Sequence, residues 1–184
     1  MEETIPFGLR EAKEEMSLEE LFQVYYRRVY NFIYYKVNHR QTTEDLLSLT
    51  FEKIIKNQGQ YSGKKGSQEV WIFTIARNVV YDHFRKERKT AFSSFDELPE
   101  PVSEEASPLS VILQGERKEL LLRAIRALND QEQTMVALKF GGGLRNQELA
   151  TVLGMTENAV GVKLYRIMKK LREWMEKEGF QYEE

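Results

Sequence analysis

The sequence predicts an all-α fold of two small helical modules joined by a flexible acidic linker, and three observations carry that prediction. Apolar residues recur at spacings of three and four through most of residues 17–90 and 111–178, which is the period of one helix face. Residues 91–110 (AFSSFDELPEPVSEEASPLS) break the period with five acids, no base and three of the chain's four prolines. Such a segment has too little apolar surface to offset the entropy of ordering it, so it reads as a tether. Finally, Leu128 to Trp174 (LNDQEQTMVALKFGGGLRNQELATVLGMTENAVGVKLYRIMKKLREW) reads as helix, glycine-rich break, short helix, turn and long helix, the signature of a helix-turn-helix.

Composition narrows the function. With 184 residues, 41% hydrophobic and 30% charged, the chain can build one medium domain or two small ones with modest cores. No window approaches the length of a membrane span, and the first twenty residues carry seven Glu instead of a basic leader. A cytoplasmic protein with no membrane insertion is expected. The absence of cysteine removes disulfides and thiolate metal sites, and His39 and His83 are too few and too far apart for a usual zinc site or triad. No catalytic residue, metal or cofactor is therefore predicted, and the chain is not expected to be an enzyme. A net charge of −2 hides local polarity: Arg77, Arg85, Lys86, Arg88 and Lys89 form one basic patch and the last helix a second, with acids at the N-terminus and between them.

In chain order, residues 1–16 lack a sustained period and read as an acidic lead-in. Ser17 is a candidate N-cap for a long helix carrying Leu18, Leu21, Phe22, Tyr25, Val29, Phe32, Ile33 and Val37 at helical spacing. After a break at residues 38–41, Thr42-Thr43-Glu44-Asp45 reads as a cap with acids in the first turn, followed by Leu46, Leu47, Phe51, Ile54 and Ile55. Asn57 to Gln68 holds three glycines and, Tyr61 aside, no apolar residue, so it is predicted to be a surface loop. With Lys64 and Lys65 it suits single-stranded nucleic acid, although a plain connector is the commoner meaning.

A helix starting near Glu69 should bury Ile72, Ile75, Ala76, Val79 and Val80 and turn Asn78, Asp82 and Arg85 outward. Trp71, Phe73, Tyr81 and Phe84 suit base stacking, but aromatics at this density more often fill a core. Beyond the tether, Val111 to Leu128 and Gln131 to Phe140 resume the pattern, and Gly141 to Gly143 interrupt it. In the helix-turn-helix, Gly154 suits the left-handed end of the Gln147 to Leu153 helix and Thr156 caps the next. Val160, Leu164, Ile167, Leu171 and Met175 then share one stripe, opposite Asn158, Val162, Tyr165, Arg166 and Lys169. Five bases and no acid between Lys163 and Arg172 suit a phosphate-lined groove; a solvated bundle face is the bland alternative, and the turn chemistry favours DNA.

Two helical modules, an acidic tether and a terminal helix-turn-helix together resemble the extracytoplasmic-function sigma factors, bacterial initiation factors of the sigma-70 family that keep only sigma regions 2 and 4. The likeness covers about residues 18–176. Its most specific parts are Trp71-Ile-Phe-Thr-Ile-Ala-Arg-Asn78 with Asp82-His83-Phe84-Arg85, similar to region 2.3 to 2.4, and Gly143-Leu144 through Lys170-Leu171-Arg172, similar to region 4.2.

The resemblance implies four parts: a lead-in (1–16), a region 2-like module (17–90), a linker (91–110) and a region 4-like module (111–178). It implies that the first module binds the clamp coiled coil of core RNA polymerase through Asp45, Ser48 and Glu52. That module would read the melted minus-ten element with Arg77, Asn78, Arg85, Lys86, Arg88, Tyr61 and Lys64, with Asn78 taking a flipped-out base. The second would bind the polymerase flap and read the minus-thirty-five element of promoter DNA with Arg145, Asn158, Val162, Lys163, Tyr165, Arg166 and Lys169. An anti-sigma factor is implied as a further partner.

Three positions depart from the family's pattern. Ser48-Leu49 stands where a Gln-Glu pair is usual, and Gly161 where Lys or Arg is common. Gly141-Gly142 replaces bulkier residues, which is expected to loosen the approach of neighbouring helices. The competing reading is a two-domain helix-turn-helix regulator that binds operator DNA as a dimer; no sustained dimerising heptad supports it. A third is an interaction protein whose basic helices bind acidic partners.

Overall fold

The structure, a computed structural model, describes residues 16–61, 63, 66–93 and 116–179. The lead-in up to residue 15, Lys64, most of the predicted linker and the start of the second module lie outside them. Helix α1 (Leu18–Val37) begins in a capping box: Ser17 Oγ accepts from the Glu20 N–H, and the Glu20 carboxylate accepts from the Ser17 N–H at 2.9 Å. It ends at Asn38, which takes the left-handed conformation with φ 51°.

That single residue makes the whole turn, so α2 (Arg40–Asn57) starts earlier than the sequence suggested. Its N-cap is His39, whose Nδ1 accepts from the Thr42 N–H at 3.2 Å, and its first turn holds no acid. The Thr42 to Asp45 cap is thereby corrected: an imidazole acceptor already satisfies the orphan N–H. A 3₁₀ turn (Gln58–Gln60) leads towards α3 (Gln68–Ser93), which runs three residues past the predicted boundary at residue 90. Lys, Arg and Glu, which fill residues 85–89, are good helix formers.

The second half comprises α4 (Glu116–Arg126), α5 (Asp130–Val136), α6 (Asn146–Leu153) and α7 (Glu157–Lys177). Helix α5 passes without a break into a π-helical turn, Ala137–Gly141.

The buried apolar residues form one cluster running from Leu21 to Leu171. Helix α1 lies at its centre: Val29, Phe32 and Ile33 are fully buried, with Phe32 edge-on to Phe73 of α3 at 6.1 Å. One side of α1 packs on α2 and α3, the other on the π turn and α5. Two separately cored modules were expected; the structure packs them on each other. Polar contacts tie the halves together. Arg28 Nε donates to Gly142 O at 2.8 Å, and Lys36 Nζ, on a side chain only 2% exposed, pairs with Asp130 Oδ1 at 2.7 Å. Arg77 of α3 donates to the carbonyl of Val152 at the end of α6. The Gly141-Gly142 pair does not loosen the packing but sits inside the contact with α1 and α3.

Candidate nucleic-acid interface

Helix α6 starts at Arg145, which holds Glu148 three residues on: the Arg145 N–H donates at 2.8 Å and Nε at 2.9 Å. Burial pushes the Glu148 carboxyl up, but the Arg145 hydrogen bonds and charge outweigh it and leave the group below its ordinary value. Gly154 ends α6 with φ 66°, and Thr156 Oγ1 accepts from the Ala159 N–H at 3.2 Å to open α7. The turn therefore forms as the sequence suggested, because both of its special positions are met locally.

Val160, Leu164, Ile167 and Leu171 anchor α7 in the core and so fix its phase. Asn158, Val162, Tyr165, Arg166 and Lys169 are all exposed on the other side, Tyr165 to 73%. Lys163 is the exception: it is half-buried and leans on α5, donating to Gln131 Oε1 at 3.1 Å. Lys170 leans the same way, onto Glu132. Burial raises the Glu132 pKa, yet Lys170 and the Asn129 N–H together hold it below the ordinary value. Arg145 is exposed apart from its grip on Glu148.

In the first module Asn78, Arg85, Lys86 and Arg88 are exposed on α3. Asn78, Tyr81, Arg85 and Arg88 follow at spacings of three and four, so they line one stripe. Arg85 is paired with Asp82 at 2.9 Å. Arg77 does not join them. Its guanidinium faces α6, lies 5.9 Å from the Tyr81 ring, and has its Nε buried with no hydrogen-bond partner among the described residues.

Tyr61 packs on Trp71 at 5.4 Å between ring centroids, and its hydroxyl donates to Gly66 O at 3.4 Å. Of the aromatics weighed for base stacking, Phe73 is core, while Phe84 lies under the Lys36 ammonium at 5.6 Å. Tyr81 is 40% exposed.

Asp45, Ser48 and Glu52 share an exposed face of α2 at spacings of three and four. Sequence reasoning missed the apolar company they keep: Leu49 and Ile55 are 39% and 55% exposed. Phe22, Tyr26 and Phe51 form an aromatic cluster with centroids 4.7 to 6.1 Å apart, in which Phe22 is 47% exposed. Leu18 and Phe22, assigned above to the stripe with Leu21 and Tyr25, are therefore largely outside the core. The signal was present, since an apolar stripe at residues 18, 22 and 26 beside one at 21, 25 and 29 is wider than one helix face needs. Lys36 was missed too, although it stands four residues after Phe32, on the buried stripe.

Among the described residues no group of three or more His, Asp or Glu is placed to hold a metal, and no helix is long and apolar enough to cross a membrane.

Comparison with known proteins bears on this geometry. The family model for sigma-70 region 2 matches residues 21–90, and that for sigma-70 region 4 matches residues 118–171. An extracytoplasmic-function (ECF) RNA polymerase sigma factor, BldN of Streptomyces coelicolor, is 35% identical over 161 residues, which is 88% of this chain and 61% of that one. The ECF RNA polymerase sigma factor SigX of Bacillus subtilis is 28% identical over 166 residues, 88% of this chain and 85% of that one. Among solved structures, the sigma factor RpoE in complex with the anti-sigma factor NepR from Bartonella quintana superposes with TM-score 0.72 and 18% identity, covering 86% of this chain and 96% of that one.

Proposed function

The chain belongs to the extracytoplasmic-function group of the sigma-70 family, and from that premise we propose that it directs core RNA polymerase to promoters carrying two separate elements. It does so without catalysis of its own, in the cytoplasm. Residues 17–90 and 111–178 are its two working parts, and residues 91–110 connect them. The observation that carries the reading is the outward face of α7: Asn158, Val162, Tyr165, Arg166 and Lys169 combine amide, apolar and cationic groups on a helix held rigidly by its opposite stripe. Such a face fits the major groove, where Arg166 or Asn158 can meet base edges and Val162 a thymine methyl. Arg145 at the start of α6 and Lys169 supply phosphate contacts.

The exposed stripe Asn78, Arg85 and Arg88, with Lys86 beside it, suits the melted strand of the downstream element. Tyr61 closes towards it through Trp71. Arg77 reaches that strand only from a different arrangement of the two modules. Asp45, Ser48 and Glu52, flanked by exposed Leu49 and Ile55, form the surface offered to the polymerase clamp. The flap of the polymerase takes the second module, and an anti-sigma factor is a further partner. The test is in vitro transcription from genomic templates with purified core enzyme. Initiation at discrete promoters only when this protein is added is expected; no gain over core enzyme on any template would reject the reading.

A further inference from the structure

Gly161 costs α7 stability, and nothing inside the chain asks for it. It lies within the helix and is not among the glycines with positive φ. A Cβ built on it would meet nothing within 4 Å. A glycine inside a helix is destabilising relative to alanine, because its backbone loses more freedom on ordering. Gly141 and Gly142 answer to close neighbours within the molecule. Gly161 has no such neighbour, so the reason for its missing side chain is sought outside the chain.

The surface around Gly161 defines the kind of neighbour it suits. Counted at about 100° per residue from Asn158, Lys169, Arg166, Lys170 and Lys163 lie about 20° to 140° to one side, while Tyr165, Gly161 and Met168 lie about 20° to 80° to the other. The outward face is thus split into a cationic flank and an apolar one, on which Tyr165 is 73% and Met168 46% exposed and which runs on to the acid Glu157. Arg172, the cation on that second side, stands about 16 Å along the helix from Gly161 and is paired with Glu176. Phosphates belong with the cationic flank. The apolar group that a base pair presents in the major groove is the C5-methyl of thymine. We propose that Gly161 is a specificity-determining residue: the bare backbone between Asn158 and Tyr165 is a slot for the methyl of one thymine in the upstream element, and a Cβ would fill that slot. This inference rests on the promoter-directing function proposed above.

The test uses holoenzyme, assembled from core polymerase and the full chain, on a promoter duplex found by the transcription assay above. Thymine in the upstream element is replaced by uracil, which lacks only the methyl, one position at a time. Wild type is expected to lose about fourfold in affinity at a single position. Gly161→Ala should melt about 2–4 °C higher than wild type, yet bind the thymine duplex at least about fivefold more weakly. Uracil at that same position removes the methyl with which the new Cβ collides, and should restore the variant to the wild-type level on that template. Equal or tighter binding of the thymine duplex by Gly161→Ala, a loss that uracil relieves at no position, an upstream element without thymine, or an unraised melting temperature would overturn the proposal. Wild-type holoenzyme that recognises no promoter rejects the function and this inference with it. A promoter that is recognised, but blind to both uracil and Gly161→Ala, rejects the slot alone.

Discussion

Asn78 and Arg77 are neighbours in sequence with opposite fates. Asn78 is exposed on α3, off the stripe of Ile72, Ala76, Val79 and Val80, so its side chain can be removed without opening the core. Asn78→Ala is expected to weaken recognition of one base by about 1–3 kcal/mol and little elsewhere, with binding to core polymerase retained. Transcription from a promoter library randomised at each minus-ten position checks this; a uniform fall across all sequences would make Asn78 a backbone contact. On α7, Arg166→Ala should cost about 1–3 kcal/mol at one upstream base if the guanidinium reads a base edge. If it reads phosphate, the salt dependence should flatten instead, and titrations at several salt concentrations tell the two apart. The outward placement of both residues was legible because helical phase is a local property. Arg77 was not, since its partner Val152 lies 75 residues away and only tertiary packing brings them together.

Elements were legible where turn chemistry is written in the residues that make it. Gly154 and Thr156 behave as their types suggest, and Thr156→Ala is expected to lower stability by about 1 kcal/mol through loss of the cap on α7. Gly154→Ala should cost about 1–2 kcal/mol through its left-handed backbone alone, since nothing lies within 4 Å of the added methyl. Urea denaturation measures both, and a neutral Gly154→Ala would show that the backbone relaxes out of the left-handed region. The start of α2 was misread because His39 is an uncommon cap and Thr42 an ordinary one. Histidine competes only when its ring nitrogen happens to aim at the helix, which Asn38 arranges here.

For the molecule as a whole, periodicity and composition were enough for the all-α class, whereas the docking of the modules depends on a fit between distant surfaces. Carboxylates held by partners within the second module come into play at acid pH. Glu148 and Glu132 both sit below the ordinary carboxylate value of 4.5. A carboxyl whose folded pKa is depressed stabilises fully above its unfolded value, and that contribution is lost as pH falls through the folded one. Melting temperature should therefore hold level from neutrality to just above the ordinary carboxylate range and then fall. Glu148→Gln should melt lower at neutral pH, with a shallower acid limb. An acid limb identical to wild type would show that Glu148 takes no part.

The π-helical turn at Ala137–Gly141 also acts as a spacer in angle. A π turn carries one more residue than an α turn over nearly the same length, so it resets the phase of everything that follows by about 100°. Helices α6 and α7 inherit that rotation, and with it the direction in which Arg166 faces relative to α5. Deleting exposed Phe140 would restore an ordinary helix there and swing the reading face round, with the loss of one residue and no core side chain. A single-codon deletion is then expected to abolish promoter binding while helix content by circular dichroism is kept; promoter binding that survives would show that the loop at Gly142–Arg145 absorbs the turn.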